Sequence, residues 1–256
     1  MDLFEHFRIT TECVLCGCKV NNSDQLTTNE SGIFSSSNSK IICQYCHVKM
    51  PLSQSSCFTC GLPLFSKLDS ADQAASIGNN CGSCLANSPN YDRTVSAFHY
   101  EYPINNFISQ LKYGAQLLYL PILADYLLSV IRQHYLVTEY PSLIIPVPLH
   151  RAKLADRGFN QSRLLANKLS NQLSIKVLNK GIRRIKSTQA QSGLDSNERR
   201  VNMKNAFQID SQLPAHVAVV DDVVTTGMTV SELTKQAKLA GAQRVDIWCL
   251  ARAFDY

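Results

Sequence analysis

The sequence predicts an α/β protein in which helices flank a mostly parallel sheet, preceded by a small cysteine-rich metal module. Strand-like and helix-like stretches alternate from about residue 91 to the end of the 256-residue chain. One stretch, VAVV (217–220), is apolar at every position, as expected of a strand covered on both faces. Eight of the ten cysteines form CxxC pairs in the first third. We therefore expect a module over residues 1–90 and an α/β domain over residues 91–256.

The cysteine pairs predict metal sites. Zn²⁺ prefers tetrahedral thiolate sites, and each such site needs two CxxC units, so eight cysteines predict two structural zinc centres. Pairing first with second and third with fourth, or in a crossed arrangement, both remain open. Disulfides are the alternative, disfavoured because no export signal is recognisable. We expect Cys18 to be a free thiol and Cys249 a buried one. The predicted ligands are Cys13, Cys16, Cys43, Cys46, Cys57, Cys60, Cys81 and Cys84.

Nothing in the sequence predicts a membrane span. The opening MDLFEHFRIT carries acidic residues and lacks the apolar segment of a signal peptide. The most apolar stretch, residues 117–131, is shorter than the ~18–20 residues that a span needs and contains Pro121 and Asp125. We expect a cytoplasmic protein.

The net charge of +5 is unevenly distributed. Residues 150–204 contain 13 Lys/Arg and 3 Asp/Glu, a balance of 13 − 3 = +10, which leaves −5 for the rest. This excess favours an anionic partner at that segment, although a solvated basic face is the alternative.

The α/β half is divided into elements by its apolar patterning. Strands are expected over 94–100, 143–148, 175–178, 217–220 and 245–250. Helices are expected over 104–113, 117–136 and 160–173. A last helix is expected from Thr229, where Thr229 and Glu232 form a capping-box pattern, to a stop at Gly241.

The segment VAVVDDVVTTGMTV (217–230) carries the clearest chemistry. Asp221 and Asp222 follow an apolar strand, and ligands bind at the carboxyl ends of parallel strands. The next residues enter a helix amino terminus, where backbone N–H groups and the helix dipole favour a phosphate. Acids beside a phosphate suit sugar hydroxyls, bound directly or through Mg²⁺. The segment therefore predicts a ribose 5-phosphate site, with a purely structural turn as the alternative. The predicted phosphate-loop residues are Thr225, Thr226, Gly227, Met228 and Thr229.

This segment resembles the signature of type I phosphoribosyltransferases, which bind 5-phosphoribosyl-1-pyrophosphate (PRPP). Three further stretches narrow the resemblance to the ComF family, with its GntX-type and ComFC-type members. They are PVPLHRAKLADRGFNQ (146–161), QLKYG (110–114) and TQAQSGLDSNERRVNMKNAF (188–207). The resemblance implies a type I phosphoribosyltransferase fold with an amino-terminal double zinc ribbon, PRPP bound with Mg²⁺, and Asp221 and Asp222 as its catalytic acids.

Cations are needed wherever pyrophosphate leaves the ribose. The loop after the strand at 143–148 carries His150, Arg151 and, further on, Arg157, and we predict that it binds the pyrophosphate. Arg157 could equally brace the loop. The segment from Lys186 to Arg200 corresponds to the mobile flap of such folds, with Lys186, Gln191, Arg199 and Arg200 as candidate contacts or as solvated charges.

The resemblance also implies a biological role. It favours a PRPP-binding protein that handles incoming single-stranded DNA in natural transformation, or in the use of DNA as a nutrient, together with DNA-uptake proteins. The alternatives are an active phosphoribosyltransferase on a small nitrogenous acceptor and a PRPP-sensing regulator without turnover. Tyr45, Phe58 and Phe65 could stack on bases, or they could form the small core of the module.

Overall fold

The architecture is described from a computed structural model of the chain. It describes residues 12–20, 42–64, 80–114, 116–186 and 204–254. Within these ranges no helix is both long enough and apolar enough to cross a membrane.

A five-stranded sheet in the order β1-β7-β6-β2-β3 forms the centre of the molecule. Every neighbouring pair in it is parallel. A separate antiparallel pair, β4 and β5, lies outside it. The strands are β1 (Arg93–His99), β2 (Leu143–Pro146), β3 (Lys176–Val177), β4 (Ile182–Arg184), β5 (Phe207–Ile209), β6 (His216–Val224) and β7 (Arg244–Arg252).

Helices cover both faces of the sheet. On one face α3, α4 and α6 bury Ile108, Leu123 and Leu165 against Trp248. On the other face α7 buries Leu233 beside the inward side chains of β6 and β7. The described helices are α1 (Gln44–Val48), α2 (Gly82–Ala86), α3 (Ile104–Tyr113), α4 (Tyr119–His134), α5 (Arg151–Arg157), α6 (Gln161–Leu173) and α7 (Met228–Leu239), with a 3₁₀ turn at Val137–Glu139. The mostly parallel sheet with flanking helices confirms the predicted fold class.

Several predicted boundaries differ from the structure by one or more residues, and two of these differences lie at the candidate site. Strand β6 does not stop at Val220 but runs to Val224, because β7 continues alongside it and pairs Val224 with Arg252. The two acids therefore lie within the strand. The capping box at Thr229 does not form, because α7 begins at Met228 after the left-handed Gly227, and Glu232 accepts a bond from the Asn205 amide instead.

The sheet nevertheless opens at the acids on one side. Strand β2 ends at Pro146, opposite Val220, so Asp221 and Asp222 extend beyond their neighbour on that side. The amino terminus of α6 lies across this opening, since Ser162 contacts Asp221. This is the carboxyl edge of the sheet, where parallel α/β proteins bind ligands.

The cysteine-rich module packs directly on the α/β domain. Ile42 and Met50 belong to the same buried cluster as α3 and α4. The Ser53 amide donates to the Ala97 carbonyl of β1 at 3.0 Å. The division at residue 90 remains a prediction.

Candidate functional site

The acidic pair is held by three elements. Asp222 is 8% exposed, and its Oδ2 lies 2.9 Å from the Lys112 Nζ of α3. The Asp221 Oδ1 accepts from the Ser162 Oγ of α6 and from the Asp222 amide, each at 2.9 Å. Its Oδ2 has no hydrogen-bond partner among the described residues. Strand β6 therefore presents one neutralised and one partly unsatisfied carboxylate.

The ionised form of Asp221 is the less favourable of the two carboxylates. Burial raises the pKa of Asp221 to about 7, and the charge on Asp222 adds to the rise, while Ser162 and Lys112 oppose it. Burial alone would lower the pKa of Lys112, but Asp222 outweighs it and the pKa of Lys112 lies above its ordinary value. A cation or a hydroxyl donor at Asp221 would stabilise its ionised form.

The predicted phosphate loop leads from the end of β6 into α7. Thr225 and Thr226 are exposed, and the twelve-residue α7 begins at Met228. Gly227 has φ 75°, and a Cβ there would come within 2.8 Å of the Tyr91 hydroxyl. Because the first amides of a helix have no intrahelical partner, the loop ends on N–H groups suited to an anion. Thr229 lies in the first turn of α7.

The predicted cations after β2 have mixed roles. His150 caps α5, since its Nδ1 accepts from the Ala152 amide at 3.3 Å, and Arg151 is exposed as the first residue of that helix. Arg157 ends α5 and donates to the Gln161 Oε1 at 3.0 Å. This bond ties α5 to α6, which is the bracing role left open from the sequence.

Lys112, Lys153 and Arg184 lie near the candidate site, and sequence reasoning gave them no role. Burial lowers the pKa of Lys153, with contributions from Arg184, Arg157 and Lys112. Burial also lowers the pKa of Arg184, while Asp221 opposes that shift. Lys112 and Arg184 are therefore close enough to influence the acids, and Lys153 is close enough to be influenced by these two cations. Lys112 lies in QLKYG and Lys153 in PVPLHRAKLADRGFNQ, which are two of the stretches that carry the family resemblance.

Gln161 is a further residue that was missed. It is 2% exposed, and its Nε2 has no hydrogen-bond partner in the described part of the chain. Its Oε1 accepts from Arg157, and its neighbour Ser162 reaches Asp221. An unsatisfied buried donor costs about 1–3 kcal/mol, so the Gln161 Nε2 is suited to donate a hydrogen bond to an acceptor atom of a ligand.

The predicted flap is only partly described. Lys186 donates to the Lys204 carbonyl at 2.6 Å. Gln191, Arg199 and Arg200 lie outside the described residues.

The cysteines form two groups in sequential order. In each group the four Sγ atoms all lie within 4.8 Å of one another. This geometry selects pairing of first with second and third with fourth. The groups are Cys13, Cys16, Cys43 and Cys46, which we call the first cysteine group, and Cys57, Cys60, Cys81 and Cys84, which we call the second cysteine group. Both fit zinc, because each offers four thiols at tetrahedral-site spacing.

Each group contains a thiol that ionises readily. Burial raises the pKa of Cys13, but backbone amides led by that of Cys43 outweigh it and bring the pKa to about 7. Burial likewise raises the pKa of Cys57, and amides led by those of Cys60 and Cys81 bring it to about 7. Since the thiolate is the metal ligand, these amides favour loading at neutral pH.

The other thiols and rings of the module can also be placed. Cys18 is exposed and belongs to neither group, whereas Cys249 is fully buried in β7. Tyr45 is 66% exposed, so it does not build the module core, and Phe58 is half-buried with Arg93 over its ring. Phe65 lies outside the described residues.

Sequence comparison places the chain among curated proteins. It is 38% identical over 182 residues to competence protein F of Haemophilus influenzae, covering 68% of this chain and 79% of that one. The chain belongs to the ComF family. A second ComF relative, the DNA utilization protein YhgH of Salmonella typhimurium, is 35% identical over 214 residues, which cover 82% of this chain and 90% of that one.

This ComF member was also compared with family models and with solved structures. No family model matches the chain. A purine phosphoribosyltransferase from Pyrococcus horikoshii is similar in structure with a TM-score of 0.32 and 22% identity, over 51% of this chain and 71% of that one.

Proposed function

We propose that this protein binds PRPP with Mg²⁺ at the carboxyl edge of its sheet. The observation that carries the proposal is the juxtaposition, on one continuous segment, of a buried acidic pair and a helix amino terminus. Asp221 and Asp222 supply oxygens for the ribose hydroxyls, directly or through Mg²⁺, and the loop at 225–229 supplies amides for the 5-phosphate.

Cations beside the acids support the pyrophosphate half of this ligand. Arg151 is exposed at the start of α5, Arg184 lies near Asp221, and Lys153 lies near Arg184. Pyrophosphate departure leaves negative charge that such cations stabilise. Arg157 supports the same region from α5 by donating to the Gln161 side chain, whose amide nitrogen finds no acceptor among the residues that the structure describes. Lys186 stands beyond β4 as a further contact for the phosphates.

The binding experiment uses the full-length zinc-loaded chain. Calorimetric titration with PRPP and Mg²⁺ should show binding by the wild type and a loss of at least about 100-fold in the Asp221→Asn/Asp222→Asn variant, because the hydroxyl and metal ligands are weakened. Asp156→Asn removes an exposed carboxylate from α5 and is the control for the loss of an acid outside the pair. Equal affinity in all three proteins would overturn the proposal.

Turnover is a separate question. Asp221 and Asp222 would act as catalytic acids by holding the sugar as positive charge develops on it. Pyrophosphate release from PRPP, with and without small nitrogenous acceptors, separates a phosphoribosyltransferase from a PRPP sensor without turnover. Acceptor-dependent release supports the transferase, whereas binding without release supports the sensor.

We further propose that the protein handles single-stranded DNA, as part of natural transformation or DNA use with other DNA-uptake proteins. The names of its relatives, competence protein F and DNA utilization protein YhgH, motivate this role. A groove of about 760 Å³ between α5, α6 and β4 supports it. Its lining, within the described residues, combines Arg151, Arg163, Arg183 and Arg184 with Leu154 and Phe159 and contains no Asp or Glu. Cations for phosphates beside apolar surface for bases suit a single strand.

Oligothymidylate binding tests the groove. Arg163→Ala should weaken binding and reduce the slope of log affinity against log salt by about one. Lys235→Ala is the control, because Lys235 is exposed on α7 at the opposite face of the sheet. Equal losses in both variants would contradict the groove as the DNA site.

A further inference from the structure

We propose that Arg252 couples the second cysteine group to the phosphate loop, so that metal loading of that group tunes ligand binding at the acidic site. Arg252 is the last residue of β7 and is 4% exposed. The inference rests on the proposed PRPP site for its ligand, but the coupling itself is visible in the protein alone.

Four main-chain carbonyls surround the Arg252 guanidinium. Its Nε donates to the Cys60 carbonyl at 2.8 Å. Its Nη1 donates to the Val224 carbonyl at 3.0 Å, to the Thr225 carbonyl and to the Ala253 carbonyl at 2.6 Å. One planar group therefore joins a cysteine knuckle to the first residues of the loop that enters α7.

The charge balance around Arg252 points to the metal site. Among the described residues no carboxylate forms an ion pair with this buried guanidinium. An uncompensated buried charge is costly. A zinc ion bound by four thiolates carries a formal charge of roughly −2, because four anionic ligands exceed the charge of the ion. The loaded second cysteine group would thus supply the missing counter-charge, and a phosphate in the loop would add to it.

A second connection runs in parallel. The same cysteine group continues through α2 to Asn90 and Tyr91. Asn90 Nδ2 donates to the Ser231 Oγ at 3.0 Å, and the Tyr91 hydroxyl lies against Gly227. On the other knuckle, Thr94 of β1 donates to the Thr59 carbonyl at 2.7 Å. The phosphate loop and the first turn of α7 therefore contact Asn90 and Tyr91, which follow the second cysteine group in the chain, as well as Arg252.

The first cysteine group supplies an internal comparison. Within the described ranges no hydrogen bond joins its four cysteines to residues 221–231. His47 beside this group stacks on Tyr126 of α4, which belongs to the helices of the opposite face. We therefore expect the loop to respond to the second group and not to the first.

The experiment uses two matched variants. Cys43 and Cys81 are both partly exposed and both precede a five-residue helix as its N-cap. Serine is well accepted at a helix N-cap, and it removes a zinc ligand. Amide hydrogen exchange of residues 224–229 should accelerate at least about 10-fold in Cys81→Ser and stay within about twofold of wild type in Cys43→Ser. Equal exchange in both variants, or no change in either, would overturn the coupling whether or not PRPP binds.

Ligand linkage supplies the second arm. PRPP with Mg²⁺ should slow zinc loss to a chelator from wild type and from Cys43→Ser, which retains the second group. Arg252→Gln should abolish that protection, and Arg252→Lys should not restore it, because lysine lacks the guanidinium fork. If calorimetry shows that wild type does not bind PRPP, the proposed function fails while the exchange arm still decides the coupling. Undiminished protection in Arg252→Gln would contradict it.

Discussion

Lys112 Nζ lies 2.9 Å from the Asp222 Oδ2, so a helix on one face of the sheet neutralises an acid on its central strand. Both side chains are largely buried, at 22% and 11% exposed. We predict that Lys112→Met lowers the free energy of unfolding by about 3 kcal/mol at neutral pH, because it leaves the acids uncompensated. Denaturant unfolding measures it, and Lys112→Met/Asp222→Asn should recover part of the loss. If the free-energy changes of Lys112→Met and Asp222→Asn simply add in the double variant, the pairing would be contradicted.

A second prediction concerns Asp221. Its pKa is raised to about 7 in the folded state by burial and by Asp222, above the ordinary unfolded value of about 4. Its stabilising contribution is complete below about pH 4 and is lost as pH rises through about 7. Asp221→Asn should therefore be more stable than wild type at pH 8 by about 1 kcal/mol or more, with a smaller difference at pH 4. Thermal unfolding across this range measures it, and a difference that does not change with pH would contradict the raised pKa.

The opposite sign applies to Asp246. Burial raises its pKa, but bonds led by His216 and Arg244 outweigh burial, and the net pKa lies below the ordinary value. The Asp246 Oδ2 also accepts from the Tyr135 hydroxyl at 2.7 Å. Its contribution is present above about pH 4 and lost as pH falls through the folded pKa.

We predict that Asp246→Asn lowers the free energy of unfolding by about 3 kcal/mol at pH 7, since it leaves buried partners unpaired. The difference from wild type should shrink on acidification below about pH 4. Urea unfolding at several pH values tests this, and a constant difference would contradict the lowered pKa.

A fourth prediction concerns metal content. The two cysteine groups should bind about two zinc ions per chain, and Cys43→Ser or Cys81→Ser should each reduce this to about one. Elemental analysis after dialysis measures it. A wild-type value near one would contradict two independent sites.

Much of this fold was predictable because its signals are local. The run 217–220 is apolar at every position since helices cover both faces of β6, and the CxxC spacing identifies metal ligands without tertiary information. The prediction ended β6 too early, because the strand is extended by its pairing with β7, which continues as far as Val224 opposite Arg252. No local pattern encodes that length.

The candidate site shows the same division. Asp221, Asp222 and the loop at 225–229 are contiguous in sequence and could be predicted together. Lys112 and Ser162 reach the acids from α3 and α6, and Arg252 reaches the loop from the last strand. Their contacts depend on tertiary packing, so the sequence could not assign them, although Lys112 lies in a stretch, QLKYG, that carries the family resemblance.

The central claim is tested most directly by a crystal structure of the zinc-loaded protein soaked with PRPP and Mg²⁺. We predict the ribose hydroxyls, or a Mg²⁺ bound to them, against Asp221 and Asp222, with the 5-phosphate on the amides of residues 225–229. Density for PRPP elsewhere, or an empty loop at saturating ligand, would contradict it.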